Sequence, residues 1–166
     1  LMFTDSQKQK LSQINIIKTA LEATKSPYTL EEGLAGVIAE SHLPNSITMR
    51  EGNTLFFITY DPNQKDHGYF RALNADTPSN YLKNSLEFTK AVGLAGFKVL
   101  VTEFSDPSLL NIFKYISKKP PFPKMGYFVQ KLKNGGYRVT LNLGNPKITH
   151  EGALPSAPEK DKGVLQ

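Results

Sequence analysis

The chain has three histidines, His42, His67 and His150, the side chains whose charge changes most readily near neutral pH. None has the converging carboxylates or short-spaced second histidine that a metal site requires, so no metal site is expected. Cysteine is absent, which removes disulfides, thiolate catalysis and Cys-ligated metals. Asp61 and Asp66 flank a polar stretch beside His67. Such a group can form a general base with an orienting carboxylate, or an ordinary connecting loop. Glu103 follows the apolar run Val99-Leu100-Val101 and emerges where a buried strand would finish, which makes it a weak catalytic candidate as a general base. A solvent-facing carboxylate has the same pattern. Asp106, directly before Pro107, suits a helix cap.

Recognition chemistry is carried elsewhere. Lys118, Lys119, Pro120, Pro121, Phe122, Pro123 and Lys124 put positive charge beside an aromatic held between prolines. An acidic protein surface or a nucleic acid could use this stretch, and its stiffness lowers the entropy lost on docking. Solvated loop is the alternative reading. Lys118, Lys119, Pro120, Pro121, Phe122 and Lys124 are the expected partner contacts, with other subunits of an assembly as the expected partners and weak nucleic-acid contact left open. The balance of Lys+Arg 20 against Asp+Glu 15, a net +5, permits an anionic partner without requiring one. Asn134-Gly135-Gly136 reads as turn chemistry, not a nucleotide loop.

These residues must be positioned by a single domain, since the chain has 166 residues. Hydrophobic residues at 39%, with Phe 10 and Tyr 7, supply one core and exclude wholesale disorder. No run is apolar enough to span a membrane. The start, Leu1 to Lys8, lacks a basic segment followed by an apolar stretch and does not read as a secretory signal. Leu11, Ile14, Ile17 and Leu21 predict an amphipathic helix from Asp5 to Thr24, with Asp5 or Ser6 as its cap. A second helix starts near Thr29 and closes at Pro44-Asn45. Strands Ile47–Arg50 and Thr54–Tyr60 flank the turn Glu51-Gly52-Asn53; Asp61 to His67 is expected to loop out; Tyr69–Leu73 is a third strand. Thr77 caps a helix to Val92 with Leu82, Leu86 and Ala91 buried, and a buried strand covers Lys98 to Thr102. A helix follows Asp106-Pro107, and Tyr127–Leu132 pairs with Tyr137–Leu143 as a second hairpin. The Ala72–helix–Val99 unit has the length of a right-handed βαβ crossover, so a mixed sheet with helices on both faces is expected. Residues 1–144 form the domain. Residues 145–166, which include Pro146, Pro155 and Pro158 and no aromatic, read as a flexible or partner-ordered tail.

The element order, with Asp106-Pro107-Ser108-Leu109-Leu110-Asn111-Ile112-Phe113 and the later Gly126-Tyr127-Phe128, resembles the GNAT superfamily of N-acetyltransferases over about residues 5 to 143. The resemblance implies an α/β fold and acetyl-CoA as cofactor. It also implies phosphate-binding glycines at the positions of Ser79 and Tyr81, a basic or amide residue at Asp76, and a proton-donating tyrosine at Phe113. None of these is present. Asn74 to Ser85 contains no glycine, and Tyr115 lies about 200° around a helix from Phe113. Residues 77–143 also resemble small internal virion proteins of short-tailed, podovirus-type bacteriophages. The resulting expectation is a GNAT-like fold without its catalytic parts, with no cofactor. It would serve as a binding or structural protein of a phage particle, placed in the cytoplasm or virion. An N-acyltransferase with an atypical acetyl-CoA loop, and a small nucleic-acid-binding accessory protein, are the alternatives.

Overall fold

The run Leu55-Phe56-Phe57-Ile58 has no polar member, so a strand there must be covered on both faces. The computed structural model, which describes residues 5–23, 26–119 and 126–144, places it at the heart of strand β2 (Thr54–Asp61). Strands β1 (Ser46–Glu51), β2 and β3 (Gln64–Asn74) form an antiparallel meander. Helix α3 (Pro78–Leu94) then crosses to β4 (Val99–Phe104), which runs parallel to β3. Strands β5 (Gly126–Lys131) and β6 (Tyr137–Asn142) close a hairpin, giving one six-stranded sheet ordered β1-β2-β3-β4-β6-β5. The mixed sheet, the crossover and the hairpins are those expected.

Helices α1 (Asp5–Ala23) and α2 (Leu30–Ser41) pack Ile16, Ile17, Leu34 and Val37 against Leu55, Phe57 and Leu73 on one face. Thr29 caps α2 in a capping box with Glu32, its hydroxyl accepting the Glu32 N–H at 3.1 Å. The other face carries α3 and α4 (Leu110–Ser117), the latter entered through a 3₁₀ turn over Pro107–Leu109 that Asp106 caps by accepting the Ser108 N–H at 2.9 Å. There Phe56 stacks on Phe88 with ring centroids 4.1 Å apart, among Ile58, Val92, Leu100, Ile116 and Leu141. Phe88 and Val92 are almost fully buried, so they centre the buried face of α3 rather than Leu82 and Ala91.

One expectation fails. Asp61 to His67 does not loop out: β3 begins at Gln64, after a two-residue turn at Pro62-Asn63. The polar side chains there hide a strand whose backbone joins the ladder through an irregular register at Tyr60/Asp61.

Candidate functional site

Strands β3 and β4 pair at only three positions, His67↔Val99, Gly68↔Leu100 and Tyr69↔Val101. Beyond them β3 continues to Asn74 and β4 to Phe104, and a cavity of about 240 Å³ lies between them and the helices α3 and α4. Phe56, Phe70, Phe88, Phe104, Ile112 and Phe113 give it an apolar wall. The alternation of β3 sends Phe70 and Ala72 to this face, while α3 brings Tyr81, Ser85 and Thr89 to it at helical spacing. The polar lining is completed by Arg71, Thr102 and Glu103.

The charges at this cleft are consumed within the fold. Arg71 donates from Nε and Nη2 to Glu40 Oε2 at 3.0 and 2.9 Å, and its guanidinium lies 5.1 Å from the Phe57 ring centre. Burial pushes the Glu40 carboxyl up, and Arg71 opposes that rise. Glu103 and Arg138 stand opposite each other on β4 and β6, with Nε and Nη2 both 3.1 Å from Glu103 Oε2. The weak base candidate therefore reaches the cleft, but as half of an ion pair. Burial lifts the Tyr81 hydroxyl to about 12, so it stays protonated at neutral pH.

The resemblance would put an acyl-CoA pyrophosphate where α3 begins, and the residues there do not suit one. Pro78 has no N–H, Asn80 N–H goes to the Thr77 hydroxyl at 3.3 Å, and Tyr81 N–H goes to the Thr77 carbonyl at 2.8 Å. Asp76, just before this helix, accepts the Asn53 N–H at 2.8 Å and the Asn84 side-chain amide at 2.7 Å. These donors, the Asn53 N–H first, hold its carboxyl below the usual range, so a negative charge persists where two more would have to enter. Asn84 also donates to Thr54 Oγ1 at 3.0 Å, and Thr54 donates to Asn74 Oδ1 at 2.8 Å. The tip of the β1–β2 hairpin sits directly on this network: a Cβ at Gly52 would lie 2.7 Å from Asn84 Oδ1 and 2.8 Å from Asp76 Oδ2. Gly52 is also at φ +54, so the turn and the close approach both call for glycine.

The remaining sequence-selected residues are scattered. Phe113 lines the cleft, 4% exposed, with its ring centre 6.0 Å from that of Phe104; Tyr115 is not among the lining residues and lies beneath Lys119. Ser79 is exposed in the first turn of α3, and Tyr81 has turned into the cleft. His67 Nε2 is 3.8 Å from Asp66, beyond hydrogen-bond reach, while Asp61 accepts the Asn63 N–H at 2.9 Å, so no base-and-orienter pair is assembled. His42 ends α2, its Nδ1 2.8 Å from the Ile38 carbonyl. Lys118 and Lys119 are exposed after α4. Pro120, Pro121, Phe122 and Lys124 lie outside the described residues, as do His150 and the segment 145–166. Sequence reasoning missed Thr89, Thr102 and the Glu40–Arg71 pair. Its available signal was the hydroxyl series Ser85, Thr89 at a four-residue spacing on an otherwise apolar helix face.

No group of three or more His, Asp and Glu residues able to hold a metal occurs among the described residues, and no helix among them is long and apolar enough to cross a membrane. No model of a known family matches the chain, and no curated protein matches its sequence. Among solved structures, it is similar to an acetyltransferase of the GNAT family from Streptococcus pneumoniae, with 16% identity and a TM-score of 0.44, over 81% of this chain and 94% of that one. A likeness that loose assigns no activity.

Proposed function

We propose that the domain is a non-catalytic binding or structural component that uses the cleft between β3 and β4, and that it does not take acetyl-CoA. The observation that carries this is the closure of the α3 N-terminus by Thr77, Pro78 and the ionised Asp76, beside a cleft that keeps its volume. The phosphate end of an acyl-CoA finds a carboxylate and two already engaged amides, while an uncharged apolar group finds an aromatic wall. A setting among the subunits of a bacteriophage particle, implied by the resemblance of residues 77–143, is part of the proposal, with Lys118, Lys119 and the stretch to Lys124 as a second contact.

Calorimetric titration tests the first half. Acetyl-CoA at millimolar concentration is expected to give no binding heat, and a micromolar dissociation constant would restore the acyltransferase reading. 1-Aminoanthracene, a small neutral apolar fluorophore, tests the second half: its fluorescence should rise on the native protein. Ala72→Phe, which places a ring in the cavity, should abolish that rise, with thermal unfolding used to check that the variant is folded.

A further inference from the structure

We propose that the occupant of the cleft is an extended polypeptide segment, uncharged over its paired residues, that adds as a strand between β3 and β4 and places one bulky apolar side chain among the phenylalanines. This rests on the reading of the cleft as a binding site.

The backbone carries the first part of the argument. On its other edge β3 is paired with β2 through Asn74, and β4 is paired with β6 through Phe104. Toward each other they pair only up to Tyr69↔Val101. Phe70–Asn74 and Thr102–Phe104 therefore each present a free strand edge, the two edges face the same gap, and among the described residues no backbone hydrogen bond joins them. Main-chain donors and acceptors beside an aromatic wall are costly to leave unpaired, and an added strand satisfies them on both sides at once. Because β3 and β4 are parallel, the added strand has the same sense relative to both. The antiparallel sense gives the stronger ladder.

Side chains and charge narrow the class. A cavity of about 240 Å³ is below the roughly 300–1,000 Å³ of sites for drug-sized ligands, and suits a single large side chain projecting from a bound backbone. The cleft is also electrically balanced: Arg71 is neutralised by Glu40 and Glu103 by Arg138, so the complementary segment is itself uncharged.

The probes are capped pentapeptides with a central leucine, isoleucine, phenylalanine or tyrosine between valines and threonines, and the same peptides N-methylated on alternate residues. Methylation removes main-chain donors and keeps the side chains. At least one unmethylated peptide should displace 1-aminoanthracene and slow amide exchange at Phe70–Asn74 and Thr102–Phe104 by about tenfold or more, with its methylated twin about tenfold weaker. Equal binding of the twins would overturn strand addition. So would dye binding that no peptide displaces, and both results would leave the cleft reading intact. If 1-aminoanthracene does not bind the native protein, or binds Ala72→Phe and Ser85→Leu equally well, the cleft reading falls and takes this inference with it.

Discussion

Replacing Arg71 with methionine isolates the ion pair that keeps the cleft neutral. Methionine retains an apolar stem over Phe57 and removes the guanidinium whose Nε and Nη2 lie 3.0 and 2.9 Å from Glu40 Oε2. The Glu40 side chain is 2% exposed, so the variant leaves a carboxylate buried without a cation. Breaking a buried pair in this way costs about 3–5 kcal/mol. Glu40 sits in the last turn of α2, whose carbonyl end disfavours negative charge and offers no relief. In the native protein the Glu40 carboxyl already lies above its ordinary value, because burial outweighs Arg71. An acid raised in the folded state binds its proton there first, so folding is favoured below that value and loses stability as pH rises through it. Without Arg71 the rise is larger, so the deficit of the variant must shrink as pH falls toward the ordinary carboxylate range. Urea unfolding at about pH 7.5 and about pH 4.5 measures this, with a neutral-pH loss of about 4 kcal/mol moving the midpoint by roughly 2 M. The double variant Glu40→Leu/Arg71→Met should recover most of the loss. A deficit under about 1 kcal/mol at neutral pH, or one equal at both pH values, would refute the reasoning.

Asp76→Ala removes the acceptor for the Asn53 N–H and the Asn84 amide, and is expected to cost roughly 1–3 kcal/mol at neutral pH. Since the Asp76 carboxyl is lowered in the fold, its contribution is present above the ordinary value and lost as pH falls through the folded one; melting curves of variant and native protein should converge in strong acid. Phe113→Tyr buries a hydroxyl in the apolar cleft beside Phe104, lowering stability by about 1–3 kcal/mol, and a coupled thiol-release assay with acetyl-CoA should register no turnover. Gly68→Ala puts a Cβ 3.1 Å from Ile58 Cγ2 and 3.3 Å from the Thr59 carbonyl at the β3–β4 junction. Chemical denaturation should record a loss of about 1–3 kcal/mol.

The local devices of this fold are legible in its residues. Thr77-Pro78 announces the start of α3, and Asp106-Pro107 the turn into α4. Gly52 and Gly135, at φ +54 and +88, mark the two hairpin turns named from sequence. Gln64 to His67 was misleading because its side chains are polar, whereas strand membership there is a property of the backbone. The cleft was hidden for a different reason. It exists because pairing between two strands on either side of a helix stops after Tyr69↔Val101, and nothing in either strand's own pattern encodes where a neighbour ceases to follow it. The pairs Arg71–Glu40 and Glu103–Arg138 join elements far apart in the chain, so four unremarkable charges became two fixed contacts only in space. The absence of glycine from Asn74 to Ser85 is visible in the sequence. That Asp76 fastens a hairpin to a helix is a property of the tertiary fold, since Asn53 and Asn84 reach it from separate elements.

The sheet order has a kinetic consequence. Every pairing within β1-β2-β3 joins strands connected by a two-residue turn, Gly52-Asn53 or Pro62-Asn63, so this half closes with little loop entropy. The ladder of β4 with β6 must wait for α4 and β5, and the parallel junction of β3 with β4 must wait for α3. By this measure the meander is the unit expected to close first, before the ladders that span α3 or α4 and β5.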